Sequence, residues 1–218
     1  MIAEDILVRA GRMVSDTERV RWTDADWLEF VSDGQRQIAL MRPDSASVIE
    51  TIALVPGSRQ TIPEIGLRLL DVIRNMGESG QIPGTPISSV KRGMLDSFDR
   101  YWHVVPGPMS VRHFAFDDRT PRHFFVYPAI PFEGSVYVEV AYSRTPPECS
   151  ATTATLALAD IYAVPLLEFV LYRAYASEQE STVAEAKAAV HLERFYASLN
   201  IKSQVDAAVS PKLPSEAS

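Results

Sequence analysis

Four histidines, one cysteine and a few close carboxylate pairs are the side chains best suited to catalysis or metal binding in this sequence. The histidines are His103, His113, His123 and His191. His113 and His123 flank the turn-rich run DDRTP. In a hairpin whose turn centres near Arg119 they would share one face and supply half of a zinc site. No cysteine or carboxylate at ligand spacing completes the set, and no HExxH motif occurs. The simpler reading is two polar positions on a half-exposed strand. Cys149 sits in a Pro-Pro-Glu-Cys-Ser run with no motif tying it to a base, which makes it an incidental thiol. Asp24 with Asp26, and Asp117 with Asp118, suit capping and turn roles better than acid–base work. GxSxG, P-loop and GxGxxG patterns are missing, and Gly77–Gly84 lacks the strand, lysine and helix of a phosphate cradle. An enzyme would have to place its site in the β-rich middle, as a small-molecule hydrolase or a metal-dependent catalyst. Only the histidine pair and the Gly-rich loop support that alternative.

The elements that would carry these residues follow from periodicity. Ile2, Ile6, Ala10 and Met13 line one face of a helix over 2–14. Thr23 is an N-cap, and Asp24 and Asp26 complement the dipole of the helix that follows. Trp27, Val31, Gly34, Ile38 and Met41 then form a narrow packing seam, with Gly34 allowing close backbone approach, until Pro43 ends the helix. From 48 onward the period shortens to two. Strands are predicted over 48–54, 60–62, 67–76, 111–116, 123–127 and 135–142, with a short helix over 89–99. Gly77–Pro86 reads as a mobile loop. Helices return from about Val164 to Gln179 and from Thr182 to Leu199. The fold class is therefore α+β. Residues 1–44 and 146–200 form a helical bundle, 45–145 a β-rich insertion, and 201–218 a flexible C-terminal extension.

Composition narrows the function. The 218 residues carry a net charge of -7, whereas a protein that grips duplex nucleic acid shows excess Lys and Arg. Phe114, Phe116, Phe124, Phe125 and Tyr127 could stack on bases, but they stand among few cations and fit sheet packing better. A single cysteine excludes an internal disulfide and suits a reducing compartment. MIAEDILVRAG lacks the basic and apolar regions of a signal peptide. Val164–Ala176 is interrupted by Glu168 and Arg173, so a soluble protein without a membrane span is expected. In the extension, Ile201, Val205, Val209 and Leu213 recur every four residues in a polar setting, the pattern of a segment that orders on a partner.

Two stretches, RWTDADWLEFVSDGQRQIALMRPDSA (21–46) and DIYAVPLLEFVLYRAYASEQE (160–180), with LRLLDVIRN (67–75) between them, carry a family likeness. The chain resembles the head-to-tail adaptors of tailed bacteriophages, a group similar to the tail tubular protein A of short-tailed phages. The resemblance covers roughly Met1 to Leu199. It implies a structural protein with no catalytic residues and no cofactor, forming a ring, usually of twelve subunits, below the portal. Its partners would be further copies of itself, the portal protein, and a tail nozzle or tail-tube protein. Genomic DNA would pass through the lumen without specific binding, and an acidic wall suits such passage. The expected location is the head–tail junction of the virion, and the host cytoplasm during assembly. Portal docking by Ile201, Val205, Val209 and Leu213 follows from their position beyond the matched core.

Overall fold

The computed structural model describes residues 1–178 and 181–209. It contains five α-helices and seven strands: α1 (Ala3–Val14), α2 (Asp24–Met41), β1 (Ser47–Ala53), β2 (Gly57–Thr61), β3 (Gly66–Asn75), β4 (Ser88–Ser89), α3 (Arg92–Phe98), β5 (His113–Phe116), β6 (His123–Ile130), β7 (Tyr137–Arg144), α4 (Ala163–Ala176) and α5 (Thr182–Val209). The α+β class with sheets between terminal helices is as the sequence predicts. The chain divides into two compact units, Met1–Ile38 with Pro146–Ser218, and Ala39–Thr145.

The helical unit is organised by caps and by a small-residue contact. Thr23 starts α2: its N–H donates to the Asp26 carboxylate at 2.7 Å, and its hydroxyl accepts weakly from the Asp26 N–H at 3.4 Å. This reciprocal pairing satisfies donors that the first turn leaves orphaned. Gly34 faces α4 so closely that a Cβ there would lie 2.6 Å from Leu166 Cδ1 and 3.1 Å from Phe169 Cδ1. The seam residues Trp27, Val31 and Ile38 are fully buried, and they join Ile6, Leu7, Leu166, Val170, Leu171 and Phe195 in one core. The start of α1 is tied to the 152–156 segment, with the Ala3 and Glu4 N–H groups donating to the Ala154 and Thr152 carbonyls at 3.0 and 2.8 Å. Pro165 falls in the first turn of α4, where its missing N–H costs nothing. The His191 Nδ1 of α5 lies 2.7 Å from the Glu168 Oε2 of α4.

Helix α5 corrects the expected boundary at Leu199, because its backbone continues to Val209. The four-residue recurrence of Ile201, Val205 and Val209 suits that continuation, and no proline interrupts before Pro211. Leu213 lies outside the described residues, as do the prolines at 211 and 214.

In the second unit, the sheets β1–β7–β3 and β2–β6–β5–β4 pack face to face. Val138, Val140 and Tyr142 of β7, Leu69 and Val72 of β3, and Phe114, Phe124 and Val126 of the other sheet fill the space between them. The alternation in β7 is as expected, with the valines buried and Tyr137, Glu139 and Ala141 half-buried. The 77–86 loop is more firmly held than its glycines suggest. The Gly84 N–H donates to the Asn75 carbonyl at 2.7 Å and the Ile82 N–H to the Met76 carbonyl at 3.3 Å. The buried Asn75 amide donates to the Thr85 and Val111 carbonyls at 3.1 and 2.8 Å, and its Oδ1 accepts the Val111 N–H at 2.8 Å. One side chain therefore fastens the loop, the end of β3 and the approach to β5.

Candidate interaction surfaces

The side chains with catalytic potential are all engaged in local structure. β5 and β6 pair with His113 opposite Tyr127 and Phe116 opposite Phe124. That register puts His113 and His123 on one face, as the hairpin argument required, but four residues apart along it. His113 stacks on Tyr127, and His123 Nδ1 lies 3.0 Å from Thr61 Oγ1. No group of three His, Cys, Asp or Glu side chains among the described residues is placed to hold a metal ion. Asp117 accepts the Arg119 N–H at 2.9 Å, so it shapes the turn. Burial pushes the Cys149 thiol above its ordinary range, and the thiol points at the Ala151 carbonyl.

His103, which the sequence leaves unassigned, has the most suggestive partner. Its Nδ1 is 2.7 Å from the Ser58 hydroxyl, and its ring stacks on Trp102 at 3.6 Å. Burial and the nearby Arg92 charge both lower its pKa, which keeps the ring neutral. A serine–histidine contact can activate a nucleophile only if substrate reaches the hydroxyl. Ser58 is buried, so this pair braces β2 against the 101–105 turn.

What the described residues do offer is exposed apolar surface, concentrated in the second unit. The segment from α3 to Met109 is anchored by Leu95 and Trp102, which pack on Ala115, Phe125 and Tyr127 of the β2–β6–β5–β4 sheet. The Trp102 indole also donates to Asp96 at 3.0 Å. Around those two anchors Met94, Phe98, Tyr101, Val104 and Val105 are exposed, Phe98 by 79% and Val104 by 75%. Phe132, in the loop between β6 and β7, is exposed by 85%. Isolated apolar residues on a surface are ordinary, but a run of this density marks a contact site. The sequence carried a trace of it: in KRGMLDSFDRYWHVV the apolar residues are too many for one buried face of a seven-residue helix.

Charge is divided as unevenly as apolar exposure. Residues 39–145 hold eleven Lys and Arg against eleven Asp and Glu, so the full net charge of -7 resides in the helical unit, with ten against seventeen. No described helix is long and apolar enough to cross a membrane.

The chain thus combines a neutral sandwich unit that has an exposed apolar flank with an acidic helical unit. Residues 1–214 match the SU10 adaptor protein family, and the chain belongs to that family. It is a phage adaptor, in keeping with the likeness seen in the sequence, although the match does not extend to tail tubular protein A in particular. No curated protein matches the chain.

Proposed function

We propose that this adaptor is a structural, non-enzymatic ring component of the head–tail junction, seated below the portal and joined on its other side to a tail protein. The observation that carries the reading is the run of exposed apolar side chains over 94–105 in a member of an adaptor family. Such a surface costs solubility unless a partner covers it. Closed rings need two different contact faces on every subunit, and a dodecamer is the size the phage resemblance implies. The acidic balance of the helical unit supports a lumen that lets DNA pass without gripping it, since a basic wall would slow ejection.

The portal-docking element in this reading is the end of α5 and the residues beyond it, with Ile201, Val205, Val209 and Leu213 as the apolar stripe. The helical backbone through Val209 supports it, because a four-residue recurrence on a helix lines one side. The test is a chain carrying Val205→Asp and Val209→Asp, mixed with portal rings and analysed by sedimentation. We expect a folded protein that no longer co-sediments. Unchanged co-sedimentation would remove the stripe from the portal contact.

A further inference from the structure

The sandwich unit has one covered outer face and one bare one, and they lie on opposite sides. On the β2–β6–β5–β4 side, Leu95 and Trp102 roof the sheet. On the β1–β7–β3 side, strand pairing puts Ile49 opposite Ala141 and Thr51 opposite Glu139, on the face pointing away from the buried Val138, Val140 and Tyr142. Ile49 is 63% exposed there, with Thr51 and Ala53 exposed beside it. The 77–86 loop covers one end of this face, where Gly80 approaches Tyr137 and Thr51, and Ser143 is fully buried at the other, so the open part centres on Ile49. The strand carrying Ile49 is a sheet edge whose sequence, SVIETIA, holds no Lys, Pro or Gly, and its pairing with β7 contains no bulge. Its one charge, Glu50, lies opposite Val140 on the core-facing side, so Ile49 and its outward neighbours on β1 meet solvent with no charge of their own strand among them.

Charge identifies what covers the face. The α3 flank carries Lys91 and Arg100, and neither is in an ion pair among the described residues, while Asp96 and Asp99 are occupied by Arg92, Trp102 and the Tyr101 N–H. The bare sheet side carries exposed Asp71, opposite Ala141 and in no ion pair among the described residues, while Arg74 and Glu139 on the same face pair with each other at 2.8 Å. The same unit therefore displays an apolar flank with two spare cations on one side and, on the other, a sheet face with exposed Ile49 and the spare carboxylate of Asp71. Two copies of a unit with zero net charge can approach without the repulsion that acidic helical units would impose on each other.

We propose that a second copy of this chain covers the bare face: the outer side of α3 and the 101–105 turn of one copy seats on the β1–β7–β3 face of the next. Because the two surfaces are different and lie on opposite sides of the unit, the contact is heterologous and repeats from copy to copy, as a ring requires. The inference rests on the ring reading above and names the surfaces that build it.

The experiment uses full-length Phe98→Cys and Ile49→Cys chains, alone and mixed, treated with a short bismaleimide at high protein concentration, with wild-type sedimentation run in parallel. Cys149 is buried and leaves the introduced thiols as the reactive ones. The mixture should give a covalent dimer, and each variant alone should give none. A Phe98→Cys dimer formed without its partner would mean a two-fold contact and overturn the proposal. Self-association of the wild type with no cross-link in the mixture would overturn the surface assignment and leave the ring standing. A wild type that stays monomeric throughout would overturn the self-contact of the free chain, while the ring reading itself would stand or fall on assembly with portal rings.

Discussion

The helical unit and the sandwich unit solve the same problem, burying apolar surface, with different residues left over. In the helical unit the α2 seam, Gly34 and the aromatic cluster of Trp22, Trp27 and Phe30 close on α4 and α5, and the excess is acidic charge. In the sandwich the core between the sheets closes as well, but α3 uses only Leu95 and the adjoining Trp102 to do so and leaves Met94 and Phe98 to solvent. Charge kept on one unit and apolar surface on the other fits the ring subunit proposed above, which would repel DNA yet adhere to its neighbours.

The largest effect expected is on the helical core. Trp27 is fully buried and lies 5.4 Å from Trp22 and 6.0 Å from Phe30, ring centre to ring centre. Trp27→Ala should cost about 3–5 kcal/mol in urea unfolding, as large aromatic truncations do. Next is Asn75, the hub of the sandwich unit. Asn75→Ala removes its side-chain bonds to Thr85 and to both backbone groups of Val111 and strands the latter in the interior, for a loss of roughly 3 kcal/mol. If each variant also lowers the unfolding transition seen by a probe in the other unit, the two units melt together. Separate transitions would show that each stands alone.

Asp16 gives a smaller effect with a pH signature. Burial pushes its carboxyl up, but the N–H groups of Trp22, Arg21 and Val20 outweigh burial and hold it below the ordinary carboxylate range. A folded-state pKa below the unfolded one contributes stability above the unfolded value, and that contribution disappears as pH falls through the folded value. Asp16→Asn should therefore cost about 1–2 kcal/mol near neutrality. The gap from wild type should close in acid, below about pH 4. A gap independent of pH would show that the loop is held by shape alone. The smallest stability effect belongs to the sandwich flank. Phe98→Ser should shift unfolding by less than about 0.5 kcal/mol, while reducing self-association in sedimentation. A large loss of stability would show that Phe98 belongs to the fold and not to an interface.

Much of this architecture was legible in the residues, for identifiable reasons. Thr23 with Asp26 is a local start signal, and the seam from Trp27 to Ile38 needs nothing beyond helical periodicity. Leu67–Met76 reads as a strand, and that state rests on Leu69 and Val72 packing into a core that only the distant β7 completes. Asn75 was silent because its partners, Thr85 and Val111, lie ten and thirty-six residues away. The Ser58–His103 contact was silent for the same reason. The apolar flank was hidden by a different ambiguity: Met94, Phe98 and Val104 look like core residues until the structure shows that Leu95 and Trp102 already fill the available face. The end of α5 lies beyond the expected boundary because the helical period of Ile201, Val205 and Val209 outweighs the polar composition of the segment.

Assembly with the portal is the central claim, and the most direct measurement is to mix the purified chain with portal rings and image the products by electron microscopy. A second annulus stacked coaxially on the portal, with a continuous central channel, is the predicted result. Portal rings left bare beside unassembled adaptor, at concentrations where both remain folded, would contradict it.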